Sequence, residues 1–200
     1  MVIRSVNSPF ANQIESGLGD GEVNAILEIF NRVGMRDWLQ NNPFQKLEIA
    51  PRVFLWLGQK RIEVYGVYDY QTNEASIATT RDSADYAQAL IWGRTDKLSH
   101  TGRTSLEAIQ FTALHELGHR IHAILRDSNG VEFGSTQKLP RTNAVSNYAK
   151  SVYTEYFAET FVAWVLYRTE LFVNDFLGYG MMLRALNALG IEVIAYDFNT

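Results

Sequence analysis

A chain of 200 residues suits one domain of ordinary size, and 46% hydrophobic with 20% charged residues supplies a core and excludes the composition of a disordered polymer. A net charge of −4 argues against nucleic acid and anionic membrane surfaces as main partners. The absence of cysteine removes disulfide frameworks, thiol nucleophiles and Cys-ligated zinc together.

In chain order, the opening residues Met1–Gln13 carry one early Arg but no apolar stretch behind it, so no Sec-type signal peptide is expected. Nor does any apolar run approach the roughly 18 residues of a membrane span. The expectation is a soluble protein, cytoplasmic or exported by another route. Asp20-Gly21, then Val23, Ile26, Leu27, Phe30 and Val33 at helical spacing, predict a helix over Glu22–Gln40, stopped by Asn41-Asn42-Pro43. Sheet follows: Val53–Leu57 is a short apolar run, Ile62–Tyr70 alternates, and Ala75–Thr79 can pair back across Gln71–Glu74 as a hairpin. Ser83–Trp92 reads as a short helix with Ser83 as N-cap.

From Thr104 onward the pattern is mostly helical. Thr104-Ser-Leu-Glu107 is a capping box and starts a helix running to about Arg126. Asp127–Asn147 is a long polar loop containing Gly130, Gly134 and Pro140. Further helices are expected over Tyr148–Phe172 and over Asp175–Leu189, the latter ending at Gly190, with a last strand over Ile191–Ala195. Sheet first and helices after make an α+β fold in one domain, residues 1–200.

The chemistry is concentrated in one stretch. Three of the four histidines fall within residues 115–122, and His115-Glu-Leu-Gly-His119 is an H-E-x-x-H pattern. On a helix His115 and His119 lie about 40° and one turn apart, so both imidazoles can reach one ion. Leu106, Ala113, Leu117, Ile121 and Ile124 fall on the opposite side, giving an apolar back and a histidine front facing a cleft. Zinc suits such a site because it takes neutral imidazole and keeps one position open. Glu116, about 100° round the helix, can take a proton from water without itself ligating the metal.

The third ligand decides the class. His122 shares the face but lies about 10 Å along the axis from His115, and is expected to line the cleft or to pack against a carboxylate. His122 and Leu125 stand where the metzincin pattern requires Gly and His, which rejects that class. The better candidate is on the next helix, where Glu155, Glu159 and Tyr148 fall within about 40° of one another and Tyr153, Phe157, Phe161 and Trp164 lie on the other side. Glu155 would ligate, and Glu159 would accept the N–H of a ligating histidine and fix its tautomer. Tyr148 would donate its O–H to an oxyanion. His100, in the polar stretch Thr95–Arg103, is expected to be solvent-exposed and is given no role.

His115-Glu-Leu-Gly-His119, Tyr148 and the run Glu155-Tyr-Phe-Ala-Glu159-Thr-Phe161 together resemble the gluzincin metallopeptidases, most nearly the anthrax-lethal-factor-type catalytic domain and the Pro-Pro endopeptidases. The resemblance covers residues 115–161. It implies a zincin-like domain with a small mixed sheet followed by the H-E-x-x-H helix and C-terminal helices. It further implies one zinc per chain held by His115, His119 and Glu155, with Glu116 and Tyr148 as catalytic groups. The activity implied is endopeptidase action on a protein or peptide, with proline near the cleaved bond. The strand before the active helices, Ala75–Thr79, is expected to pair with the extended substrate. The family also suggests secretion, for which no signal is seen. Two other readings stay open: an intracellular regulatory protease of the ImmA/IrrE type, and a binding module that keeps zinc without catalysis. Oligomeric state is left open.

Overall fold

The computed structural model describes residues 8–16, 20–79, 105–128, 133, 143–146 and 148–195. The helix expected over Ser83–Trp92, His100 with its stretch Thr95–Arg103, Thr104 of the capping box, and most of the loop expected over Asp127–Asn147 lie outside the described residues. The architecture is mixed α+β, with a small mixed sheet and C-terminal helices. Two compact units divide it, Met1–Asp82 with Arg103–Glu116, and Ser83–Gly102 with Leu117–Thr200.

The first unit holds β1 (Ile14–Ser16), α1 (Asp20–Arg32), α2 (Arg36–Asn41), β2 (Lys46–Ala50), β3 (Val53–Leu57), β4 (Lys60–Val64), β5 (Gly66–Asp69) and β6 (Glu74–Ala78). Four strands form one sheet in the order β1-β2-β6-β5, parallel at β1–β2 and β2–β6 and antiparallel at β5–β6. Strands β3 and β4 form a separate antiparallel pair. Alternation drives the sheet: Ile14, Leu47, Ile49, Ala75 and Ile77 are each 1% exposed or less, while the residues between them carry charge or hydroxyl. Helix α1 buries Ala25, Ile26, Ile29 and Phe30 at the 3–4 spacing of an amphipathic helix. Ring contacts knit this core, from Phe10 to Phe30 (5.6 Å), Phe30 to Phe44 (6.4 Å) and Phe44 to Tyr68 (6.1 Å).

The structure departs from three expectations in this unit. The helix expected over Glu22–Gln40 is two helices, because Gly34 takes φ 78° and turns the chain. Gly34 N–H donates to Asn31 O and Met35 N–H to Phe30 O, both at 3.0 Å, the bond pair of a Schellman stop. The strand expected over Ile62–Tyr70 breaks at Tyr65, where the chain leaves its β3 partner for β6. Strands β1 and β2 were not expected, and they flank the sheet in a way that matters: β6 is hydrogen-bonded on both sides. The expectation that Ala75–Thr79 offers an edge to a substrate is therefore corrected. The sheet's edges among the described residues are β1 and β5. The hairpin does close where expected, with Asp69 opposite Glu74.

Helix α3 (Ser105–Ser128) runs from the first unit into the second. It is followed by α4 (Tyr153–Leu166), α5 (Arg168–Asn174) and α6 (Phe176–Ala188). The helix expected to begin at Tyr148 begins five residues later, and it breaks at Tyr167 rather than running to Phe172. Helix α6 is fastened at its start by Asp175, which is 1% exposed. Its Oδ1 accepts from Gly178 N–H (2.9 Å) and its Oδ2 from Tyr156 Oη (2.8 Å). Burial raises the Asp175 pKa, and the two donated hydrogen bonds oppose that rise. A Cβ on Gly178 would lie 2.6 Å from Asp175 Oδ2 and 2.8 Å from Tyr156 Oη, so this clasp needs glycine there. Residues 191–195 are not a strand. They lie as a strap, with Arg168 Nη2 donating to Val193 O at 2.7 Å. Among the described residues no helix is long and apolar enough to cross a membrane.

Candidate metal centre

Helix α3 lacks the solvated front its sequence suggests. From Ile109 to Leu117 every residue is buried, and His119 is too. His115 is 9% exposed, Glu116 3% and His119 6%. Even polar residues of this helix are turned to internal use, with Gln110 Nε2 donating to Ala25 O at 3.0 Å. Leu106, expected on the apolar back, is exposed in the first turn. Ala113, Leu117 and Ile121 do form a buried stripe.

The carboxylate arrives from α4. Val152, in extended conformation, is the residue before that helix, so Glu155 falls in its first turn, where the helix dipole favours negative charge. Its Oε2 lies 3.3 Å from His119 Nε2. One ligand atom each from His115, His119 and Glu155 can be chosen so that all lie within 4.8 Å of one another. What allows the approach is Gly118. A Cβ there would sit 2.9 Å from Ala158 Cα and 3.2 Å from Ala158 O, so the two helix backbones touch beside the histidine pair.

The other expected residues divide. Glu159, one turn after Glu155, is buried at 7% exposure. Tyr153, Phe157, Phe161 and Trp164 are buried as expected. Tyr148 is not on α4. It opens a turn in which Ser151 donates to the Tyr148 carbonyl through both N–H (2.9 Å) and Oγ (2.7 Å), and its side chain is 56% exposed. The helical angle linking it to Glu155 therefore does not apply.

His122 does not line a cleft; it is buried among aromatic rings. It is 0% exposed, with its ring 4.9 Å from that of Phe157 and 5.5 Å from that of Tyr153. Its Nε2 lies 2.8 Å from Phe133 O; a carbonyl only accepts, so the neutral ring carries its proton on Nε2. Burial pushes its pKa down to about 4, against the raising effect of that hydrogen bond.

Two imidazoles and one carboxylate are the donor set of a catalytic zinc site with an open position. A tetrahedral ion with bonds of about 2.0–2.1 Å spaces its ligands about 3.4 Å apart, and the His119–Glu155 separation of 3.3 Å fits that spacing. The residues present thus suit a divalent metal. Compared with protein-family models, with curated proteins and with solved structures, the chain gives no match.

Proposed function

We propose that this protein is a zinc-dependent endopeptidase of gluzincin type with a zincin-like fold. The observation that carries the reading is the convergence of His115, His119 and Glu155 from two helices. The resemblance of residues 115–161 to the lethal-factor-type and Pro-Pro endopeptidases supports it, and so does the burial of Glu116 next to a ligand. His115, His119 and Glu155 would hold the zinc. When bound, zinc supplies a Lewis acid that brings the pKa of water toward about 7 and polarises a carbonyl.

The protein's own residues do the rest. Glu116, on the turn between the two histidines and held out of bulk water, takes a proton from the attacking water and hands it to the leaving amine. Glu159 holds a ligating imidazole in one tautomer by accepting its N–H. Tyr148, exposed in the turn before the helix, turns its O–H to the oxyanion of the tetrahedral carbon. A peptide substrate lies extended along β5, the edge strand among the described residues whose Gly66 lies against Glu116.

The test is zinc per chain, by elemental analysis, on the purified protein and on Glu155→Ala. About one zinc in the parent and a clear loss in the variant is the expected result. Equal zinc in both would remove Glu155 from the site and the gluzincin reading with it.

A further inference from the structure

The first residue of β5 has an unexplained identity. Gly66 makes the end pair of the β5–β6 ladder, opposite Ile77, where glycine packs nothing and costs conformational entropy. Its backbone does not require it: the glycines with positive φ among the described residues are Gly34, Gly58 and Gly190. Space does require it. A Cβ built on Gly66 would collide with Oε1 of Glu116, and would lie 2.9 Å from that residue's Cδ and 2.7 Å from Thr112 Cγ2. The carboxylate of Glu116 thus rests in the notch left by a missing side chain on the edge strand.

From this we infer that Gly66 is a positioning residue for the base, its bare Cα forming the seat that fixes the Glu116 carboxylate. The inference rests on the role proposed above for Glu116. The three atoms nearest a side chain at 66 belong to side chains and not to backbone: the carboxyl end of Glu116 and a methyl of Thr112. A methyl group is therefore relieved by rotation of Glu116 and Thr112 rather than by moving β5 or α3. The fold survives and the base is displaced. None of the three atoms nearest this methyl belongs to His115, His119 or Glu155, so the metal-holding group is expected to stay in place.

The experiment uses the full-length chain with zinc restored. Gly66→Ala should keep the parent's zinc content and thermal midpoint within a few degrees. Its kcat on a cleavable peptide should fall about 10- to 100-fold with KM little changed, as when an interaction made in the transition state is lost. Gly66→Val should fall further. In the Glu116→Ala background, which has no carboxylate to displace, Gly66→Ala should change the residual rate by less than about twofold. A crystal structure of Gly66→Ala reads the same point without any activity, and should show the Glu116 carboxylate rotated with both backbones in place.

An unmoved carboxylate with a shifted β5 would overturn the inference, as would a variant that fails to fold or an unchanged kcat. A zinc-loaded parent that cleaves no peptide would instead count against the proposed function, and the crystal structure would still decide whether Gly66 seats Glu116.

Discussion

Single side chains carry the sharpest consequences. Glu116 and Tyr148 are assigned separate jobs, and their conservative variants separate them. Glu116→Gln should keep its zinc and lose on the order of 10²–10⁴ in rate, because the proton has no acceptor. Tyr148→Phe should lose about 10²–10³ in kcat, because one donor to the oxyanion is gone. Full peptidase activity in the first variant would end the mechanism; parental kcat in the second would remove only the tyrosine. His122 makes a different prediction. Its folded pKa of about 4 lies below the value near 6.5 of an unfolded histidine, so the unfolded chain binds a proton first as pH falls. The stability it confers is complete above about pH 6.5 and shrinks as pH drops toward about 4, by about 2 kcal/mol at pH 5. Urea unfolding in a chelator at pH 7.5 and pH 5 should show that loss in the parent, and His122→Phe should lose about 2 kcal/mol less over the same interval. Parallel pH dependence in the two proteins would show that this imidazole is not the titrating group. Why the sequence suggested a cleft residue is plain: a helical wheel places His122 near His115, but cannot show that the rings of Phe157 and Tyr153 pack against it.

At the level of elements, the histidine pair and the carboxylate are brought together by a close helix crossing. Replacing Gly118 by alanine improves helix propensity by about 1 kcal/mol. The obstacle at Gly118, however, is the Ala158 backbone, which cannot rotate aside as a side-chain tip can. Overpacking of this kind costs about 1–3 kcal/mol, so it should win. Gly118→Ala should therefore lower the unfolding midpoint and release zinc at a lower chelator concentration than the parent; unchanged zinc retention would mean that the crossing does not govern Glu155. An isolated glycine in a helical pattern is the readable sign of such an approach, and Gly118 stands inside the motif itself. Much else was legible: α3 from its amphipathic run, the β5–β6 hairpin from its turn residues, and Asp175 as the start of α6. Strand β1 was not, since three residues give alternation little room to declare itself; β2 was also missed, although it alternates and is as long as β3 and β6. The false start of α4 has a local cause. Ser146 Oγ accepts from Ala149 N–H at 2.9 Å and Ser151 bonds back to Tyr148, so serine side chains hold in a turn a segment whose spacing looked helical.

Across the whole molecule, patterns belonging to one element were read better than partnerships between elements. The grouping of His115, His119 and Glu155 was legible because the two histidines share one helix and the carboxylate opens another. The internal position of β6 was not, because strand order depends on neighbours distant in sequence. The same limit applies to α3, whose polar face looked wet and is not. A helix buried on every side from Ile109 to Leu117 has a consequence for exchange with solvent. Its amides can trade hydrogen for deuterium only when the surrounding structure opens, so His115, Glu116 and Leu117 should be among the slowest-exchanging positions in the chain. Zinc held by His115, His119 and Glu155 would favour the closed state by mass action, so adding it should slow these amides further, by about 100-fold at a free concentration of 100 times Kd. Deuterium uptake across residues 109–119 would thus report metal occupancy with no substrate present.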